Sequence, residues 1–163
     1  LISLAPITHL DWHPFDILSG AHTPVDGRIY RVLAGQILPD LVYCNDLTLV
    51  ISERAAATLR SSTLQGWDLF PASVVDRTDR TTSAYGLSVI GHCDVVRAPI
   101  GPSPGRFGPS TIQPLAESWD GGDLALVRDT AVVLATEQVR DLVMATGLAG
   151  FQFLPVESVE FPF

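Results

Sequence analysis

The chain matches itself at a fixed offset of 84 positions, running without a gap from residues 46–74 onto residues 130–158. Glu53 falls on Glu137, Leu64 on Leu148, Gly66 on Gly150 and Pro71 on Pro155, with Ser52 on Thr136 and Trp67 on Phe151 as chemically similar pairs. Such a match restricts the fold to one that houses two copies of a single supersecondary unit. Each copy reads as a short apolar run (Leu47–Ile51; Ala131–Ala135), a hydroxyl residue, a helical stretch, a glycine turn and an aromatic-led extended run. The expected order is therefore strand, helix, strand.

Local chemistry supports both helix starts. Ser52 and Thr136 are expected to accept a backbone N–H as N-caps, and Glu53 and Glu137 place negative charge beside the positive end of the helix dipole. Val139, Leu142 and Val143 form an i, i+3, i+4 stripe, and Ala55, Ala56 and Leu59 a weaker one. Gly147 is placed to end the second helix in a left-handed conformation, while Gly66 and Gly150 punctuate the approach to the last strand of each unit. Caps and turns are a sufficient structural reading of these shared residues.

Between the copies, residues 85–96 alternate Leu87, Val89, Gly91, Cys93 and Val95 with Ser88, Ile90, His92, Asp94 and Val96, the pattern of one half-buried strand. Arg28–Leu33 predicts a shorter strand. About six strands and two principal helices give an α+β fold, an antiparallel or mixed sheet with helices packed on it. Residues 98–122 hold Pro99, Pro102, Pro104, Pro109 and Pro114 interleaved with glycines, and are expected to form a long loop. That loop is either a mere crossover or a binding element, and for binding it offers Arg106, Phe107 and Trp119, followed by the acids Asp120 and Asp123.

At 163 residues the chain suits one domain, and 47% hydrophobic against 17% charged residues argues against disorder. A net charge of −8 makes nucleic acid and anionic lipid poor partners and suits a basic protein. No apolar stretch approaches the roughly 20 residues that cross a bilayer, and there is no basic-then-apolar leader, so a cytoplasmic protein is expected. Cys44 and Cys93 share no C-x-x-C or metal-ligand spacing and are expected as buried free thiols, a single disulfide being the alternative.

Motifs for catalysis are lacking. His9 and His13 stand at i, i+4 but have no third ligand, and Asp120-Gly121-Gly122-Asp123 lacks the alternating oxygens of a calcium loop and reads as a tight turn. There is no nucleophile elbow, phosphate loop or dinucleotide fingerprint. No catalytic residue, metal or cofactor is assigned.

The stretch Trp119-Asp120-Gly121-Gly122-Asp123-Leu124, then Val132–Thr136, Glu137, Val139, Leu142 and Leu148-Ala149-Gly150-Phe151-Gln152-Phe153-Leu154-Pro155-Val156, resembles the end of the immunity protein 11 family. Val50-Ile51-Ser52-Glu53-Arg54, with Leu59 and Gly66-Trp67, is similar to the family's central portion. The resemblance spans roughly residues 40–158, and the first 40 residues show no pattern of the family. It implies a bacterial protein that binds and neutralises a cognate toxin in the producer's cytoplasm, and it carries over no catalytic residue. An enzyme that reverses toxin chemistry and a non-inhibitory adaptor are the competing classes.

Overall fold

A computed structural model describes residues 3–7, 13–35, 38–99, 110–128 and 130–156. Along the chain run β1 (Ser3–Pro6), α1 (Pro14–Leu18), β2 (Arg28–Ala34), β3 (Leu41–Tyr43), β4 (Leu49–Ser52), α2 (Glu53–Arg60), β5 (Trp67–Val75) and β6 (Thr81–Val89). They are followed by β7 (Gly91–Cys93), β8 (Val95–Pro99), β9 (Ser110–Pro114), a 3-10 turn (Ala116–Ser118), β10 (Leu124–Val127), β11 (Val133–Ala135) and α3 (Glu137–Thr146). The fold is α+β, with mostly antiparallel mixed sheets and three α-helices among the described residues. None of those helices is long and apolar enough to cross a membrane.

The largest sheet has the order β1-β2-β5-β6-β4-β3, with β2 and β5 parallel and the other neighbours antiparallel. Its two edges meet where Asn45 N–H donates to the Leu4 carbonyl at 3.1 Å and Ser3 Oγ bonds Asn45 Oδ1 at 3.1 Å. The sheet thus curls into a nearly closed barrel, which removes most of the exposed edge. Leu4, Tyr30, Val32, Val42, Cys44, Val50, Val74 and Ala84 fill the interior. A second cluster lies outside the barrel wall, where Leu49, Ile51, Leu87 and Val89 meet Ala55, Ala56 and Leu59 of α2 and Val139 and Val143 of α3.

This arrangement explains why β6 does not alternate. Its residues from Ala84 to Val89 are nearly all buried, because one face lines the barrel and the other lies under the helices. The single strand expected over residues 85–96 is in fact broken at Ile90 and shared among β6, β7 and β8, which belong to three different sheets. The described residues accordingly hold eleven strands rather than six. The proline-rich stretch also differs from a simple loop, since β8 and β9 pair antiparallel from Val95↔Pro114 to Pro99↔Ser110. A two-stranded ribbon consists only of edges, so proline's missing N–H is tolerated there.

Both cysteines are free and buried. Cys44 faces the barrel interior, and burial pushes its thiol up to about 12. At one end of the barrel the buried Arg28 meets Asp46 at 2.9 Å and lies 5.4 Å from the Tyr30 ring centre, while Thr48 Oγ1 bonds both Asp46 (2.6 Å) and the Tyr30 hydroxyl (2.9 Å).

The two segments matched at the 84-residue offset each begin one strand earlier than the match. β3 and β4 form one hairpin and β10 and β11 another, each running directly into a helix. Ser52 caps α2 as expected, accepting Ala55 N–H at 3.1 Å. Thr136 makes no such bond and instead donates its hydroxyl to Asp123 at 2.9 Å. Gly147 ends α3 at φ 62°. After the glycine turn the first segment continues as β5, whereas residues 151–155 form no strand, so the second segment is not the expected strand-helix-strand.

Candidate binding surface

Two aspartates clasp the segments to each other. Asp40 receives Ser52 Oγ (2.6 Å) and Arg54 Nε (3.1 Å) on one oxygen, and Ala149 N–H (2.8 Å) together with Arg54 Nη2 on the other. Asp123 receives Thr136 Oγ1 (2.9 Å) and Gln65 N–H (2.9 Å). The backbone repeats the exchange: Leu41 N–H donates to Ala149 O at 3.1 Å, and Leu124 N–H to Gln65 O at 3.2 Å. Each clasp needs a glycine. A Cβ on Gly66 (φ 88°) would lie 2.2 Å from Leu124 O, and one on Gly150 (φ 94°) 2.3 Å from Leu41 O. The Arg54 guanidinium and the N–H donors hold the Asp40 carboxyl down at about 2, against the opposing effect of burial.

The clasp at Asp123 sits beside an open pocket of about 250 Å³ on the face of the β11-β10-β7 sheet that points away from the main core. Ala125 and Leu134, cross-strand partners, form its floor with Cys93, and Pro114, Ala116 and Trp119 form its wall. Trp119 is 47% exposed, and its indole N–H is anchored to Gly122 O at 2.8 Å, so the ring is held rigidly at the rim. Asp120 accepts His92 N–H (3.0 Å) and Gly122 N–H (2.9 Å) and pairs with His92 Nδ1 at 2.9 Å. Burial would raise the Asp120 carboxyl, but those two N–H donors and the neighbouring His92 outweigh it and leave it lowered. Asp120-Gly121-Gly122-Asp123 is thus a tight turn, as expected.

Of the five residues expected to bind a partner, Trp119 and Asp123 line this pocket, Asp120 lies in the turn between them with its carboxylate on His92 and Gly122, and Arg106 and Phe107 lie outside the described residues. The Asp120 and Asp123 carboxylates are engaged internally, which leaves Trp119 as the described member of the set that presents apolar surface. Trp67 packs against the main core, as does Phe151, and its indole donates to Leu64 O at 2.9 Å. The sequence pattern missed Leu134 and Cys93 as pocket residues. Both sit in short apolar runs, and only the sheet neighbours decide which face of such a run stays open.

The described polar groups that line the pocket are held by their neighbours. The Cys93 thiol points to the carbonyls of Asp94 (3.3 Å) and Leu115 (3.8 Å). His92, its neighbour along β7, projects to the opposite face and is taken up by Asp120. His13 caps α1, its Nδ1 accepting Phe15 N–H at 3.2 Å, and its expected companion His9 lies outside the described residues. Among the described residues no three His, Cys, Asp or Glu side chains converge to hold a metal. No protein-family model matches the chain, and no curated protein matches it.

Proposed function

We propose that this chain is an immunity protein that binds and neutralises a cognate bacterial toxin by direct contact in the cytoplasm of the producing cell. The observation that carries this reading is the apolar pocket beside the anchored, half-exposed Trp119 on a strongly acidic chain. At about 250 Å³ it falls below the roughly 300–1,000 Å³ of small-molecule sites and suits one protruding apolar side chain of a protein partner. Rigid aromatics at such rims are the usual energetic anchors of protein interfaces, and the net charge of −8 speeds encounter with a cationic partner. The reciprocal clasps at Asp40 and Asp123 further support the reading that the two hairpin–helix segments are copies of one unit, although residues 151–155 form no closing strand.

The test is a pull-down with an inactivated product of the neighbouring toxin gene, followed by titration of the active toxin. A stable complex that abolishes activity at equal amounts supports inhibition by binding. A complex without loss of activity points to an adaptor, and rescue at far less than one equivalent without a complex points to an enzyme.

A further inference from the structure

Among the described residues β11 pairs along one of its two edges. Thr136 N–H donates to Asp123 O and Val127 N–H to Val132 O, each at 2.9 Å, so the residues of β11 that bond β10 alternate with Val133 and Ala135, whose backbone groups point the other way. Among the described residues no strand pairs with that outer edge. The first segment shows what such an edge accepts. There β4 stands where β11 stands in the second, and its outer edge is covered by β6, antiparallel, with Val50↔Gly86 and Ile51↔Tyr85 as partners. The 84-residue offset carries Val50 to Leu134 and Ile51 to Ala135.

The helix above tells the same story. In the first segment the Arg60 guanidinium covers the Tyr85 ring of β6 at 4.3 Å. The equivalent residue on α3 is Met144, which is 72% exposed. A large apolar side chain thus overhangs the position where a covering strand would place a ring, and thioethers favour such contacts. Leu134, the equivalent of the buried Val50, lines the open pocket.

We propose that the β11 edge is the docking site for an extended, cationic segment of the protein partner, which adds antiparallel to β11 as β6 adds to β4. The added strand places an apolar or aromatic side chain opposite Ala135 under Met144, and a smaller one opposite Leu134 toward the pocket. Charge selects this occupant. Between residues 115 and 146 the chain carries six acids against two arginines, and Arg140 is already paired with Glu137 and Asp141. A second copy of the chain would bring the same negative charge to the same edge, whereas alternating basic residues on an added strand would be attracted to it. This mode of binding rests on the reading above that the chain binds a protein.

The probe is a synthetic eight-residue peptide alternating Arg with Tyr and Val, compared with the same peptide carrying Asp for Arg, and the readout is amide hydrogen exchange in the intact chain. The basic peptide is expected to slow exchange at Val133 and Ala135 and the acidic one to leave it unchanged. Ala135→Pro removes an outward N–H without touching the bonds to β10, and Met144→Arg repels the peptide from a surface position; each should weaken binding at least tenfold, with circular dichroism confirming the fold. The exposed Val25→Ala should not change it. Equal effects of both peptides, protection elsewhere, or a concentration-dependent dimer through β11 would overturn the proposal. Toxin titration separates it from the broader reading. Full neutralisation by Met144→Arg and Ala135→Pro removes the edge and leaves immunity standing, while peptide protection without neutralisation by the unaltered chain does the reverse.

Discussion

The two hairpin–helix segments meet the same local demands and end in different surroundings. In the first, β4 is flanked by β3 and β6, and Val42, Cys44 and Val50 are sealed inside the barrel. In the second, β11 closes its sheet as an edge, and Ala125 and Leu134 on the corresponding face line an open pocket. The difference shows that a hairpin–helix unit satisfies its own backbone at the clasp and the cap but leaves one face and one edge to be completed by whatever lies beside it. In one half the rest of the chain completes them. In the other, among the described residues, an apolar face stands open beside an aromatic rim.

The largest effect should come from the closed half. Arg28→Ala leaves Asp46 buried without its cation and is expected to cost about 3–5 kcal/mol in denaturant unfolding, whereas the double change Arg28→Met with Asp46→Leu should recover most of that. A small loss for the single change would mean that the barrel end is wetter than its burial implies.

Acid should loosen the clasp at Asp40. The Asp40 carboxyl is lowered from 3.8 to about 2, so its contribution is full above the unfolded value and is lost as pH falls from about 4 through about 2. A gap of that size corresponds to roughly 2–3 kcal/mol at neutral pH, toward the lower end because the Arg54 guanidinium is partly exposed to solvent. In Asp40→Asn, unfolding followed between pH 5 and 2 should lose this part of its pH slope. Asp123→Asn, at the clasp that has no arginine, should keep it.

Gly66→Ala and Gly150→Ala should each destabilise by about 1–3 kcal/mol, since both combine a positive φ with a carbonyl in the place of the new Cβ. Thermal melts of the two variants should shift by similar amounts, and a neutral result at one of them would break the equivalence of the clasps. The smallest stability effect is expected at the pocket. Leu134→Ala should cost under about 1 kcal/mol, against about 1–3 kcal/mol for Val50→Ala at the equivalent sealed position, and on the proposed function it should reduce affinity for the toxin more than the core variant does.

Much of this was legible in the residues. The 84-residue offset pointed to the two helices, Ser52 as a cap, and the glycines at 66, 147 and 150 as turns, because these are local features with fixed backbone requirements. The α+β class followed from the same pattern. The strand before each hairpin turn escaped, since the offset drops from 84 to 83 there, and Asp40 and Asp123 consequently fell outside the matched pairs. Residues 85–96 read as one strand because alternation reports burial and does not say where a chain leaves one sheet for another.

At the candidate surface, Trp119 and its following turn could be found from composition and turn chemistry, whereas Leu134 and Cys93 could not. By itself the sequence determined the elements whose energetics are settled within a few residues: caps, glycine turns, helical stripes and an excess of negative charge. Only the tertiary structure decided which strands pair, that β1 meets β3 to close a barrel, and that no described strand pairs with the outer edge of β11. Pairing and closure are chosen among distant segments that are alike in apolar pattern, and that choice depends on long-range packing that no local window contains.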